Sequence, residues 1–393
     1  MLSSDRLLSA ARLSILQRGA ASDSARAIAA LAGVSPSAIN YNFGGLEHLF
    51  GALFEAELAE MTSRAGALLK ELEDLPAGPV GAAMALAHVV RRWTSDREGA
   101  LLYAEARARP ASEAALGPRY ARHWRSFWSE AATRLKLPVG ADMLLHAMFE
   151  AEALFHLSRW RPALEDAALA DLCACLVRRF IDGGSANGSH RANTALRHAV
   201  SLVERSPDAL SGEAGRMARV ALRVIGEKGL SGLTHRAVAS GAGVTAGAVA
   251  HYFRTAESLL AGALGAQIEQ LLTELDAAAA PPLSAKDFSV GYMAFAARPE
   301  APGPLNARRT LFLATVRDRA LAASGAAIRF AQGATAHTIA ADILAEHEDA
   351  DVIAGVLSRL SSSVWHACAA GDEAERLRLA ATIANGIEQL APA

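Results

Sequence analysis

Apolar residues recur every three or four positions along most of this chain. Leu7, Leu8, Ala11 and Ile15 fall on one side of a helix over residues 5–18, and Met217, Val220, Ala221, Val224 and Ile225 make a second stripe of the same kind far downstream. Strand-like runs of Val, Ile and Thr are scarce. The pattern predicts an all-α protein.

Stop and start signals divide these stripes into short helices. Ser4 or Asp5 stands where a first cap is expected, and Ser24 is placed to cap a second helix through about Ala32. Gly33-Val34 breaks the chain. Ser35 is expected to cap a third helix with Pro36 at its first position, where the missing N–H costs nothing. Phe43 and the Gly44-Gly45 pair end it, and a long helix begins near Leu46. The same plan returns later, with Thr234 as a cap, Gly243-Val244 as the break and Thr245 as the next cap.

The return is a repeat of sequence. Aligned without gaps, 24–50 and 234–260 share ten of 27 residues, among them Arg26/Arg236, Gly33/Gly243, Val34/Val244, Phe43/Phe253 and Leu49/Leu259. The two turn glycines are 243 − 33 = 210 positions apart, a period that marks duplicated domains rather than a solenoid. The ends of the units correspond too. "ADMLLHAMFEAEALFHLSRW" from Ala141 and "ADVIAGVLSRLSSSVWHACA" from Ala350 read as long amphipathic helices, 350 − 141 = 209 positions apart, and each is followed by another. Between the units, "DGGSANGSH" (182–190) reads as a flexible joint, "RANTALRHAVSLVERS" as an extra helix and "PDALSGEAG" as a loop. The expected division is 1–50 and 213–260 as heads, 51–182 and 261–393 as helical bodies, and 183–212 as the linker. "LPAGPVG" and "AAPPLSA" read as helix boundaries inside the bodies.

Each head has the plan of a helix-turn-helix. Its turn glycine takes a positive φ that other residues adopt reluctantly. The third helix is then placed to enter the major groove while the second crosses the backbone. In the first head Ser35, Ser37, Asn40, Tyr41 and Asn42 are candidates for base edges or phosphates, since Asn pairs bidentately with adenine. In the second, Thr245, His251, Tyr252 and Arg254 are candidates. Arg26 and Arg236 belong near the backbone, and Gly247 permits close approach. The other reading of both faces is a solvated helix surface that touches no DNA.

A net charge of −2 over 393 residues excludes a global polycation, so any DNA site needs a local basic surface. Residues 1–50 carry net +1 and residues 210–260 net +3, which makes the second head the expected stronger binder. The first residues carry charges throughout and read as no signal peptide, and no uninterrupted apolar run reaches the ~18 residues of a membrane span. Cys173, Cys175 and Cys368 read as buried thiols in a cytoplasmic protein, because C-x-C on a helix puts its two sulfurs on different faces. There is no G-x-S-x-G, Walker sequence, H-E-x-x-H or post-strand G-x-G-x-x-G, so no catalytic residue, cofactor or metal site is expected. Tyr120, Trp124, Phe127 and Trp128 fall at helical spacing. With Trp93 they form either a core or the wall of a ligand cavity that has His123, His146 or His156 as polar anchors.

The heads resemble the tetracycline-repressor (TetR) family of transcriptional regulators. The resemblance rests on Ile28-Ala29 … Ala32-Gly33-Val34-Ser35 … Ile39 … Phe43 … Glu47 … Leu49-Phe50, and again on Val238-Ala239 … Ala242-Gly243-Val244-Thr245 … Val249 … Phe253 … Glu257 … Leu259-Leu260. It implies a DNA-binding regulator, a repressor released by a small-molecule effector, whose two units pair through their last two helices. Here both units lie in one polypeptide, so the expected form is a monomeric chain that is its own pseudo-dimer and reads a double-stranded operator. Two departures stand out. Asn40 and Ala250 replace a Tyr that contacts phosphate in many members of the family, and Leu46 and Ala256 replace a basic residue that opens the fourth helix. They keep open the alternative of a ligand-sensing or protein-binding module that has lost DNA binding.

Overall fold

The computed structural model describes residues 3–19, 24–108, 116–184, 190–201, 211–277, 284–299, 303–368 and 372–390. Among these there are twenty α-helices and no strand. The first unit runs α1 (Ser3–Arg18), α2 (Ala25–Ala32), α3 (Ser37–Phe43), α4 (Leu46–Glu71), α5 (Pro79–Ser95), α6 (Arg97–Ala108), α7 (Leu116–Arg134), α8 (Ala141–Phe155) and α9 (Pro162–Leu176), the last continued by a π-turn over Val177–Ile181. Helix α10 (Arg191–Ser201) follows. The second unit runs α11 (Gly212–Lys228), α12 (His235–Ala242), α13 (Ala246–Tyr252), α14 (Ala256–Ala277), α15 (Ala285–Ala296), α16 (Gly303–Arg317), α17 (Ala322–Ile339), the short α18 (Ala341–Leu344), α19 (Ala350–Ser363) and α20 (Glu373–Glu388).

Packing repeats as the sequence does. Helix α1 lies on α2, α3 and α4, and α11 lies on α12, α13 and α14. Helix α4 rests on α7 as α14 rests on α17, and α5 pairs with α9 as α15 pairs with α20. Each head is thus wedged onto its body by one long helix. At 1.5 Å per residue, α4 with its 26 residues spans about 39 Å.

The units meet through their terminal helices. Helix α8 packs on α19, α9 also touches α19, and α20 touches α8 and the π-turn. This is the packing of a four-helix bundle whose members come from both units. It explains one departure from the sequence reading. Helix α8 is not amphipathic: from Met143 to Phe155 every residue is buried, because α5, α7, α19 and α20 cover it on all sides.

Two of its acids are buried, and each is matched by arginine. Glu152 accepts from Arg359 Nε of α19 at 2.8 Å and from Arg329 Nη2 of α17 at 2.7 Å. Glu150 accepts from Tyr103 and lies 3.9 Å from Arg107. Burial alone would raise the Glu150 pKa; Arg107, then His146 and Tyr103, outweigh it and bring the carboxyl down to about 2. Further ion pairs tie the units together: Arg179 with Asp349 at 2.6 Å, Arg125 with Glu375 at 2.5 Å, and Arg317 with Glu105.

The expected linker helix is present over Arg191–Ser201, and it is packed rather than free. Helix α10 lies against α9, α17 and α19, so it touches both units. The end of that helix reading, and the loop after it through 210, lie outside the described residues, as does most of the 182–190 joint.

Candidate nucleic-acid interface

Both heads build their turn the same way. Ser24 Oγ accepts from the Ala27 N–H at 3.2 Å, and Thr234 Oγ1 accepts from the Ala237 N–H at 3.1 Å. Gly33 and Gly243 close α2 and α12 in the left-handed conformation, at φ 64° and 66°. There a side chain would be strained. The next N–H, of Val34 or Val244, bonds back to Ala29 or Ala239 at 3.0 Å in each case. From 24 to 42 and from 234 to 252 the order of buried, half-buried and exposed positions is identical. Ile39 and Val249 point inward with Ala38 and Ala248 half-buried beside them, while Asn40 to Asn42 and Ala250 to Tyr252 are exposed.

The third helices differ in detail. Thr245 caps α13, accepting from the Ala248 N–H at 3.1 Å. Ser35 does not cap α3 as expected. Its hydroxyl pairs instead with that of Ser37 at 2.8 Å, and α3 begins after Pro36 with no side-chain cap. Asn42 turns its amide back onto the Ala38 carbonyl at 2.7 Å, which occupies one of its donors. Asn40 is exposed, and Tyr41 stands 91% exposed, free of the protein body. In the second head Tyr252 is 48% exposed and packs edge-on against His251 at 5.1 Å, while Gly247 and Arg254 are exposed beside them.

The second head is also the more braced. His235 bonds to the Phe253 carbonyl at the end of α13, at 2.5 Å. Thr255 and Ser258 exchange backbone bonds of 3.0 and 3.1 Å as a reciprocal cap on α14. In the first head α4 begins after Gly44 and Gly45, both at positive φ, with no side-chain cap.

Charge counting alone overstates the second head's reach. Arg216 and Arg223 donate to the carbonyls of Ala242 and Gly241, which closes the end of α12, and Arg219 lies 3.7 Å from Glu269. Arg236, Arg254 and Lys228 remain exposed and make no hydrogen bond or ion pair among the described residues. In the first head Arg12 is paired with Glu57 and Arg18 bonds to Ser14, which leaves Arg6 and Arg26 exposed.

The aromatic candidates sit elsewhere, in the first body. Trp93, Trp124 and Trp128 are buried in one cluster: Trp93 meets Trp124 at 5.1 Å, and Trp124 meets Phe149 at 4.1 Å. Their indole N–H groups find no partner among the described residues. His123 is held below the usual imidazole pKa by burial. His156 is buried against Asp166 at 2.9 Å, and burial, followed by the charge of Arg329, lowers its pKa to about 4. Trp93 meets Trp124 edge-on, Trp128 packs against Phe127 and Phe149, and the two cavities beside the seam are lined by other residues. The three thiols are buried and unpaired. No helix among the described residues is long and apolar enough to cross a membrane.

Sequence reasoning missed the brace of Arg216 and Arg223 and the buried acids of α8. The acids had a visible signal, two Glu inside the apolar run "MFEAEALF". The arginines had none, because an arginine bound to a helix-end carbonyl looks in sequence like any surface cation.

The family described as bacterial regulatory proteins, tetR family, matches at residues 7–53 and again at 219–263. These two segments contain the helices and turns just described, so the chain carries two tetR-family helix-turn-helix heads in tandem. No curated protein shows significant similarity to the chain.

Proposed function

With two tetR-family heads in one chain as the premise, we propose that the protein is a DNA-binding transcriptional regulator, a repressor released by a small-molecule effector, which acts as a pseudo-dimer within a single polypeptide. The observation that carries this reading is the pair of heads with the same exposure pattern, mounted on bodies that join through α8 and α19. In a homodimer, identical recognition helices require a palindrome, because protein symmetry is mirrored in the DNA. Here the third helices read "SPSAINYNF" and "TAGAVAHYF", so the two half-sites are free to differ. Ser35, Ser37, Asn40, Tyr41 and Asn42 serve one half-site, and Thr245, Gly247, His251, Tyr252 and Arg254 the other. Arg26 and Arg236 hold phosphates.

Selection from random DNA tests the reading. The expected result is one enriched site with two unlike halves, ~34–36 Å apart or a multiple of that. A perfect palindrome would count against the asymmetric operator, and no enriched sequence would favour a module that has lost DNA binding. The second reading rests on a specific observation, since Asn40, Ala250, Leu46 and Ala256 stand where the resemblance implies phosphate contacts.

A further inference from the structure

The two recognition helices differ in what they leave available to a base. Ser37, Asn40 and Tyr41 share the exposed side of α3, and Gly247, Ala250 and His251 stand at the matching places on α13. In α3 the structure has already committed most of the polar groups. The Ser37 hydroxyl is tied to Ser35, and Asn42 donates to the Ala38 carbonyl. Asn40 is exposed, and its amide makes no hydrogen bond among the described residues. Its carbonyl and its NH2 are both available, which is what bidentate pairing with adenine N6 and N7 requires.

In α13 the place of Asn40 is taken by Ala250, which is exposed and carries no donor or acceptor on its side chain. Gly247 beside it is not required by the fold: a Cβ there would meet only Thr245 Oγ1, at the ordinary contact distance of 3.8 Å. Glycine inside a helix is unfavourable, and close approach of another backbone is one of its uses. Ala250 is thereby set close to whatever this helix faces. Its methyl group can hold no phosphate. Pressed on a polar base edge, it would leave that edge without a partner. The C5-methyl of thymine is the one apolar group that a base presents in the major groove, and alanine is among the side chains that contact it.

We propose that Ala250 is a specificity-determining residue that packs on a thymine C5-methyl group in the half-site of the second head, while Asn40 pairs with adenine at the equivalent base of the other half-site. The inference rests on the regulator reading and deepens it. The two half-sites then differ at a defined base, adenine in one and thymine in the other. An amide at one end and a methyl at the other also make the chain seat on its operator in one direction.

The test uses the full chain and the operator recovered by selection from random DNA. Thymines are replaced one at a time by uracil, which keeps the base pair and removes only the C5-methyl, and affinity is read by fluorescence anisotropy. One thymine should stand out, its replacement weakening binding about fourfold, the worth of one buried methyl group. This arm alters no residue, so no folding defect can imitate it. Selection repeated with Ala250→Asn, its fold checked by circular dichroism, should return adenine in place of that thymine. Ala250→Ser, which sets a hydroxyl against the methyl, is the second variant should the first misfold, and it should bind the thymine and uracil operators alike. An operator with no methyl-sensitive thymine would overturn the inference. So would a thymine that is still selected in folded Ala250→Asn, or still preferred to uracil in folded Ala250→Ser. Each of these results leaves the regulator reading standing, because an operator was bound. If selection enriches no sequence, the regulator reading falls and this inference falls with it.

Discussion

Arg359 Nε donates to Glu152 Oε1 at 2.8 Å across the seam between the two units, with both side chains buried. The duplication gives this pair a second meaning. The positions it relates, Glu150 and Arg359 (359 − 150 = 209), carry opposite charges. At the centre of the seam the first unit supplies the acid and the second the arginines, whereas Arg125–Glu375 and Arg179–Asp349 run the other way. A copy of the first unit paired with itself would bury carboxylate against carboxylate, so the charges favour the pairing of unlike halves. Removing one partner of a buried pair costs about 3–5 kcal/mol, whereas replacing the whole set by apolar residues is often neutral. Glu152→Ala should therefore lower unfolding stability by about that amount in urea titrations. Glu152→Leu combined with Arg329→Met and Arg359→Met should recover most of it. A triple variant as unstable as the single one would show that the ion set itself, not its completeness, holds the seam.

Acid should loosen the protein before it reaches the range in which ordinary carboxylates titrate. His156, His366, His123 and His190 are all held below the usual imidazole value, chiefly by burial. A folded pKa lower than the unfolded one means that the unfolded chain binds the proton first. The stabilisation is therefore complete above the unfolded value of about 6.5 and is lost as pH falls. For His156, lowered to about 4, the loss runs across that interval and amounts to about 3 kcal/mol. Glu150, lowered to about 2, adds a further loss below its ordinary value of 4.5. Unfolding midpoints measured from pH 7 to pH 4 should fall steadily, and His156→Gln should flatten the upper part of that fall. A midpoint that stays constant between pH 7 and pH 5 would contradict the assignment.

Equivalent caps should carry unequal weight. Thr245 bonds to the Ala248 N–H, while Ser35, at the matching position, bonds to Ser37 instead. Thr245→Ala should cost ~1 kcal/mol and speed amide exchange in α13, and Ser35→Ala should cost only a few tenths. Equal losses in stability or exchange protection would mean that Ser35 caps in solution.

Local rules were legible in the sequence, and long-range partners were not. The turn glycines, Ser24, Thr234 and Thr245 announce themselves because a cap or a positive φ depends on residues within a few positions. The duplicated heads follow from the same signals read twice. The burial of α8 was misread as amphipathic because a single helix cannot say how many neighbours will cover it. Arg216 and Arg223 counted as surface charge for the same reason, since the carbonyls they hold lie on another helix. The packing of the linker helix against both units was hidden in the same way, since composition had marked only a joint and a helix there.

The division of work between the heads survives in a narrower form. Three of the six basic residues of the second head are engaged within the protein: Arg216 and Arg223 on carbonyls and Arg219 beside Glu269. What remains is Lys228, Arg236 and Arg254 in one head against Arg6 and Arg26 in the other, all exposed. Each phosphate neutralised adds about 0.9 to the slope of log affinity against log salt. Arg236→Ala and Arg254→Ala should therefore weaken binding to every sequence and flatten that slope by about one unit each. Arg26→Ala should do so less, because its head is less basic and less braced. Asn40→Ala should instead change the base preferred in one half-site, because an amide reads base edges rather than phosphate. Arg223→Ala is the control for bracing: it should reduce the thermal stability of the second head without the slope change of a lost phosphate contact. Binding measured by fluorescence anisotropy at several salt concentrations, with folding verified by circular dichroism, separates these outcomes. If Arg26→Ala flattened the slope as much as Arg236→Ala and Arg254→Ala, the two heads would grip DNA equally and the asymmetry would lie in base preference alone.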